Sequence, residues 1–395
     1  LSTTLSLRKR TCASLQDARR AIYNKVCAGK VPMHVLATYV TGKELARISH
    51  VIPIMFQKEG YEVTANMLID LLKVQLEDWF DASRKKKGMN TSEVTRLYTD
   101  YKKKQNHSHE KLFVKAAAEI IDLQIKAGII IPTDGEVRRE NYIHYHCRFL
   151  NGFDFDNLEF RVWRDGAYKS LLPAIRNKVS HSGNIYSVHD FKSSQKVSPV
   201  PLKFTLPGPL TIMDTAVDCC YFDRPKLNKD IAETVNKEIL ALVEAGCTYI
   251  QVDEPLFARQ VNDALSFGME GLDRCFYKVP KNITKIVHMC CGYPDYVDDI
   301  NYKKANPESY FILAEHIDKL SIDQVSIEDA HCCNDLKLLD HFENSTVILG
   351  LIAIAKSQIE KVDEVEECLR VLPIIQLLKS KNIKLSLDTR NASTM

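Results

Sequence analysis

Apolar residues along this chain follow two rhythms. Short continuous runs rich in Val and Ile fall at 33–40, 128–133, 202–206, 248–252, 285–289, 324–327, 346–354 and 383–387. Runs of that length and make-up predict strands buried on both faces, as in a parallel sheet covered by helices. Between them, apolar positions recur at helical spacing. Residues 110–126 carry Leu112, Phe113, Ala116, Ile120, Ile121 and Leu123. Residues 229–245 carry Ile231, Val235, Ile239, Leu240 and Val243, and Gly246 then reads as a stop. Helical material continues at 307–320 and 356–381. Strand and helix alternating eight times predicts an α/β chain folded as a (β/α)₈ TIM barrel. An open doubly wound sheet is the alternative. The first run is not followed by a Gly-rich phosphate loop, which counts against it.

Two stretches break the repeat. Residues 81–111 are polar and lysine-rich, with Lys85–Lys87 and Lys102–Lys104, and read as a solvated loop or helix face. Residues 155–200 contain alternating runs at 160–163 and 184–188 around the turn-like Asp165-Gly166. They read as a β-hairpin inserted after the second strand, over the barrel mouth. The expected organisation is an N-terminal extension, 1–32, followed by one barrel, 33–395.

Charge and cysteine usage narrow the class. Lys and Arg number 53 against 51 Asp and Glu, a net +2, which argues against a nucleic-acid-binding protein. The longest clean apolar run, 347–355, is about half of what a membrane span needs. Six of the 12 cysteines form adjacent pairs, Cys219–Cys220, Cys290–Cys291 and Cys332–Cys333, unlike a secreted disulfide framework. Reduced thiols, some on a metal, and a cytoplasmic location are expected. The acid-free, basic segment 1–16 offers the competing expectation of an organelle transit peptide.

In a barrel, chemistry sits at the carboxyl ends of the strands. Those ends read Asp134-Gly135-Glu136, Pro207-Gly208-Pro209, Asp253-Glu254-Pro255, His288-Met289-Cys290-Cys291 and Glu328-Asp329-Ala330-His331. His288 and Cys290, two apart in an extended chain, face the same side. Glu328 ends the next run, and neighbouring strands lie under 5 Å apart. An N, S, O donor set with an open position suits catalytic zinc.

The runs TDGEVRREN, LPGPLT, IQVDEP, HMCCGYP and SIEDAH resemble the carboxyl-terminal catalytic barrel of the cobalamin-independent methionine synthase family, including its single-barrel core members. The resemblance spans roughly 33–388, with the motifs in the same order. It implies a methyltransferase that moves a methyl group to a small thiol, most readily homocysteine, to give methionine. It implies zinc held by His288, Cys290 and Glu328, where the metal binds and deprotonates the thiol. It implies that Glu136 and Asp253 meet the substrate ammonium, with Thr38 as a further contact. The plainer alternatives are an Arg138 or Arg139 salt bridge for Glu136 and a helix-capping acid for Asp253-Glu254.

Several positions depart from the family. The fourth zinc ligand, a last-strand Cys, corresponds to Thr389, and Thr is a poor zinc ligand. Cys291, Cys332, Cys333 and His331 are the nearby substitutes. Six residues follow Thr389, so the expected barrel lacks its last covering helix. A leaving-group His corresponds to Ala355, and a pterin-stacking aromatic to Thr215. Both changes disfavour methyltetrahydrofolate as donor, because its N5 leaves poorly unless protonated. They favour a sulfonium compound or a corrinoid protein partner. The competing readings are a non-catalytic binding or regulatory relative without a working metal site, and a coenzyme M-type or uroporphyrinogen decarboxylase-like member of the superfamily.

Overall fold

The computed structural model describes residues 95, 98–99, 107–163, 168–292, 298, 304–330, 332 and 334–350. The expected strands at 33–40 and 383–387, the helical stretch 356–381, Thr38, Ala355 and Thr389 lie outside the described residues.

The described chain is an α/β fold with a parallel sheet. In order it runs α1 (His107–Lys126), α2 (Tyr142–Cys147), β1 (Leu150–Trp163), β2 (Tyr168–His181), α3 (Tyr186–Gln195), β3 (Lys203–Pro207), α4 (Pro209–Asp214), β4 (Val217–Asp218) and α5 (Arg224–Glu244). After β5 (Tyr249–Asp253), a π-helical turn at Ala264–Gly268 leads into α6 (Met269–Cys275). The last elements are β6 (Thr284–Met289), α7 (Glu308–Asp318), β7 (Gln324–Glu328), a 3₁₀ turn (Leu336–His341) and β8 (Thr346–Gly350). Strands β3-β5-β6-β7-β8 form one parallel sheet in that order, with helical material in the crossovers. The five runs that predicted these strands match them closely, since the β-branched positions lie within the ladder.

The two faces of this sheet differ. Phe204, Leu206, Ile250, Val252, Val287, Met289, Val325, Ile327, Val347 and Leu349 alternate along the strands. They join the main core with Leu227, Ile231, Val235, Ile239 and Leu242 of α5. The intervening positions carry Thr205, Gln251, Asp253, His288, Ser326 and Glu328, all buried. Burial of both faces hides the alternation, because one of them is a sequestered polar face.

Three expectations need correction. Residues 128–133 form no ladder strand. Gly128 turns the chain at φ 90°, and the segment is tied to β3 by Lys203 N–H donating to Pro132 O (2.9 Å) and to α1 by both amide groups of Gln124. The antiparallel pair β1–β2 exists, but its limbs are longer than expected and the second ends at His181. Leu172, Pro173, Ala174 and Ile175 are all buried, so β2 shows no period-2 signal. Residues 184–188 instead enter α3. The polar stretch 81–111 is not wholly solvated either. Thr95 and Tyr98 are buried and helical, and Tyr98 Oη donates to Arg138 O at 3.0 Å.

Candidate active site

The register sets the site. Asp253 pairs with His288, and His288 with Ser326. One step along β7, on the same face, stands Glu328. Asp253, His288 and Glu328 therefore share one buried face at the carboxyl edge of three adjacent strands. Polar neighbours hold the row in place. Lys203 Nζ donates to Gln251 Oε1 (2.7 Å) and Gln251 Nε2 to Asp253 Oδ1 (2.7 Å). His288 Nδ1 lies 3.0 Å from Ser326 Oγ, which fixes the ring.

Glu136 reaches the same face from a different direction. Gly135 and Glu136 both adopt left-handed backbone, φ 68° and 55°. Glu136 N–H donates to Asp134 Oδ1 (2.9 Å), which steadies the turn. Its Oε1 accepts from Thr205 Oγ1 of β3 (2.7 Å) and Arg139 Nη1 (3.1 Å). The Arg139 salt bridge is therefore present, but it does not bury Glu136, whose side chain is 35 % exposed. Arg138 is committed elsewhere, in a two-pronged pair with Glu110.

Glu254 has a structural part. Its carboxyl accepts from Leu210 N–H (2.9 Å), Thr211 N–H (3.0 Å) and Thr211 Oγ1 (2.7 Å), capping the start of α4. Complete burial pushes its pKa up to about 8. Gly208 lets the two approach: a Cβ there would sit 2.2 Å from Glu254 Cδ. The capping alternative thus describes Glu254, while Asp253 faces the polar row.

Metal-capable atoms converge at the edge of β6 and β7. The Sγ atoms of Cys291 and Cys332 and a carboxylate oxygen of Glu328 all lie within 4.8 Å of one another. Cys291 N–H donates to Glu328 Oε2 at 3.2 Å, and Lys304 Nζ forms an ion pair with Glu328 Oε1. The Cys332 thiol donates to Cys291, which lowers the Cys291 pKa and raises that of Cys332. Burial first, and then the neighbouring sulfurs of Cys291, Cys290 and Cys332, hold the Tyr310 phenol well above its ordinary range. The described cysteines are free thiols.

This convergent set shares Glu328 with the set drawn from resemblance. His288 lies one row deeper, and Cys290 is the chain neighbour of Cys291; neither belongs to the convergent trio. Ser326, Gln251, Thr205 and Lys304 were not anticipated. Ser326 was detectable as the residue two before Glu328. Lys304 had no signal, because it meets Glu328 only through the fold.

Comparison with known proteins identifies the family. Residues 89–383 match the family model described as cobalamin-independent synthase, catalytic domain. The chain belongs to the cobalamin-independent methionine synthase family. It is similar to the methionine synthase of Sulfolobus acidocaldarius, 29% identical over 265 residues, covering 67% of this chain and 71% of the relative. The methionine synthase of Saccharolobus solfataricus is 27% identical over 271 residues, 68% and 75% of the two chains. Among solved structures, the B12-independent methionine synthase from Shewanella sp. W3-18-1, in complex with selenomethionine, superposes with a TM-score of 0.63 at 29% identity. The match covers 73% of this chain and 83% of that one. A putative vitamin-B12 independent methionine synthase from Listeria monocytogenes shares the fold, at TM-score 0.54 and 18% identity. The fold is thus that of the methionine synthase barrel, and the family is one of methyltransferases. A cobalamin-independent family gives no support to a corrinoid protein partner. No helix among the described residues is long and apolar enough to cross a membrane.

Proposed function

We propose that this protein is a zinc-dependent S-methyltransferase that methylates homocysteine, or a closely similar small thiol, to give methionine. The observation that carries the proposal is the convergence of two sulfurs and a carboxylate at the carboxyl edge of the sheet, beside the buried row Asp253–His288. The donor set fits the metal. Zinc takes thiolate, imidazole and carboxylate ligands, and the three donor atoms here lie within 4.8 Å of one another. Glu328 would hold it with sulfur from the 290–291 pair, and His288 stands in reserve on the same face. When bound, zinc would supply the positive charge that stabilises a sulfur nucleophile at neutral pH.

The chain's own residues orient the substrate. Asp253 and Glu136 place carboxylates where an amino-acid ammonium can be held, Asp253 fixed by Gln251 and Glu136 by Thr205. Holding the ammonium fixes the thiol end relative to the donor, which lowers the entropic part of the barrier. The substrate sulfur forms its bond to the methyl carbon as the bond from methyl to donor breaks, and the leaving group keeps that electron pair. Methyltetrahydrofolate fits this chain poorly, since Thr215 offers no stacking ring and its hydroxyl bonds back to Thr211 O and Ile212 O. A sulfonium donor, whose sulfur leaves neutral, suits these residues better. The Shewanella relative, in complex with selenomethionine, supports a methionine-shaped product site.

One observation favours a second reading. Lys304 already neutralises Glu328, as a metal-free binding relative would require. The test is zinc content of the purified protein followed by methionine formation from homocysteine. Methylation with a sulfonium donor and about one zinc per chain is expected. Metal-free protein that makes no methionine with any donor would leave the binding reading. Turnover with methyltetrahydrofolate alone would overturn the donor assignment.

A further inference from the structure

The buried polar face of the sheet carries a line of side chains that zinc chemistry does not use. Lys203 opens β3, while Gln251 and Asp253 stand two apart on β5 and so face the same side. Lys203 Nζ donates to Gln251 Oε1 at 2.7 Å, and Gln251 Nε2 donates to Asp253 Oδ1 at 2.7 Å. We infer that Gln251 and Lys203 are positioning residues for amino-acid recognition: they aim the Asp253 carboxylate at the substrate ammonium, and so set a preference for thiols and thioethers that carry an amino group. The inference rests on the reading above that Asp253 meets this ammonium.

Three features of the fold support it. An ammonium only donates and an ionised carboxylate only accepts. The amide between them therefore has one workable orientation, oxygen toward Lys203 and nitrogen toward Asp253. Burial makes that orientation binding. Gln251 and Asp253 are 4% and 2% exposed, so water does not readily replace either bond. Interior positions of a parallel barrel sheet are ordinarily filled by Val, Ile or Leu, and a Lys–Gln pair in their place serves the acid it leads to. Register supplies the third feature. Gln251 is the cross-strand partner of Thr205, whose hydroxyl donates to Glu136 Oε1 at 2.7 Å. One cross-strand pair thus backs both carboxylates assigned to the ammonium.

The methylated product makes the test independent of the methyl donor. L-Methionine and γ-(methylthio)butyrate differ only by the amino group. Calorimetric titration of the purified wild-type chain should show L-methionine bound about thirtyfold more tightly. Gln251→Leu should weaken L-methionine binding about tenfold and leave γ-(methylthio)butyrate unchanged. Lys203→Met should act in the same direction, by about fivefold, and Lys203→Arg should restore the preference. The double variant Lys203→Met/Gln251→Leu should bind L-methionine no more weakly than Gln251→Leu alone, because the lysine acts through the amide. Equal weakening of both ligands, or additive losses in the double variant, would overturn the inference in favour of a purely structural role. Asp253→Asn checks the underlying reading and should abolish the preference. A preference lost in Asp253→Asn but kept in Gln251→Leu would overturn the inference alone. A preference that survives Asp253→Asn, or that wild type lacks, would sink the substrate reading as well.

Discussion

Lys304 shows how one side chain can set the readiness of a site. Its ammonium pairs with Glu328, where it would compete with the metal of the proposed zinc site, and both partners are largely buried, 19% and 4% exposed. Replacing Lys304 with Met should destabilise the metal-free protein by roughly 3 kcal/mol, because the buried Glu328 loses this cation. Zinc affinity should then rise about tenfold, because the competing ion pair is gone. Titration with a fluorescent zinc chelator would check both the sign and the size. A second residue-level prediction concerns His146. It is completely buried, its Nδ1 lies 2.9 Å from Tyr186 Oη, and its Nε2 has no hydrogen-bond partner among the described residues. Burial, reinforced by Arg139, pushes its pKa down to about 3. The unfolded chain gains the proton near pH 6.5 and the native protein does not. Its stabilising share is therefore complete above pH 6.5 and is lost as pH falls toward 3. Between pH 6.5 and 5 the wild type should lose roughly 2 kcal/mol through this group alone. Urea melts of His146→Leu beside wild type should show the gap shifting by that amount in the variant's favour.

Elements meet here through close backbone approaches that propensity alone would misjudge. Gly271 lies within α6, where Ala is ordinarily better by about 1 kcal/mol. A Cβ at Gly271, however, would sit 2.0 Å from Asn228 Oδ1 of α5. Gly271→Ala should therefore destabilise, by roughly 1–3 kcal/mol from overpacking. Gly208 works the same way between β3 and α4, where an added methyl would strike the buried Glu254. Gly208→Ala should cost a similar amount and also disturb Asp253, the chain neighbour of Glu254. Chemical denaturation would measure both variants, and the α6 change should spare thiol binding. The run at 128–133 teaches the complementary lesson. Its composition matches a strand, but Pro132 has no N–H to give a ladder, and its carbonyl instead accepts from Lys203.

At the scale of the molecule, the parallel sheet separates two tasks. One face builds the core with α5, and the other carries the buried polar row from Thr205 to Glu328. Such a row is costly unless its members are bonded, and the links through Gln251 and Ser326 provide much of that bonding. Ligand binding should therefore stabilise the whole fold. Homocysteine at a hundred times its dissociation constant should add about 2.7 kcal/mol to the unfolding free energy of the zinc-loaded protein. A thermal melt with and without homocysteine checks this, and no shift with the zinc-loaded protein would count against the substrate assignment.

The order of strands and helices was legible because apolar periodicity reports burial directly, and β5 to β8 follow the runs that announced them. The strand-end motifs were legible too, since a parallel sheet places chemistry at its carboxyl edge whatever its sequence. The partners were not. That Glu136 meets Thr205 across 69 positions, or Lys304 meets Glu328 across 24, depends on which strands become neighbours. Spacing put Cys290 on the side of His288, two residues away. The fold adds what spacing could not show, that the Cys291 and Cys332 thiols also lie near Glu328. Local sequence determined the elements and the kinds of donor available. Tertiary packing decided which donors meet, because distances of a few ångströms between remote segments exist only after the chain has closed on itself.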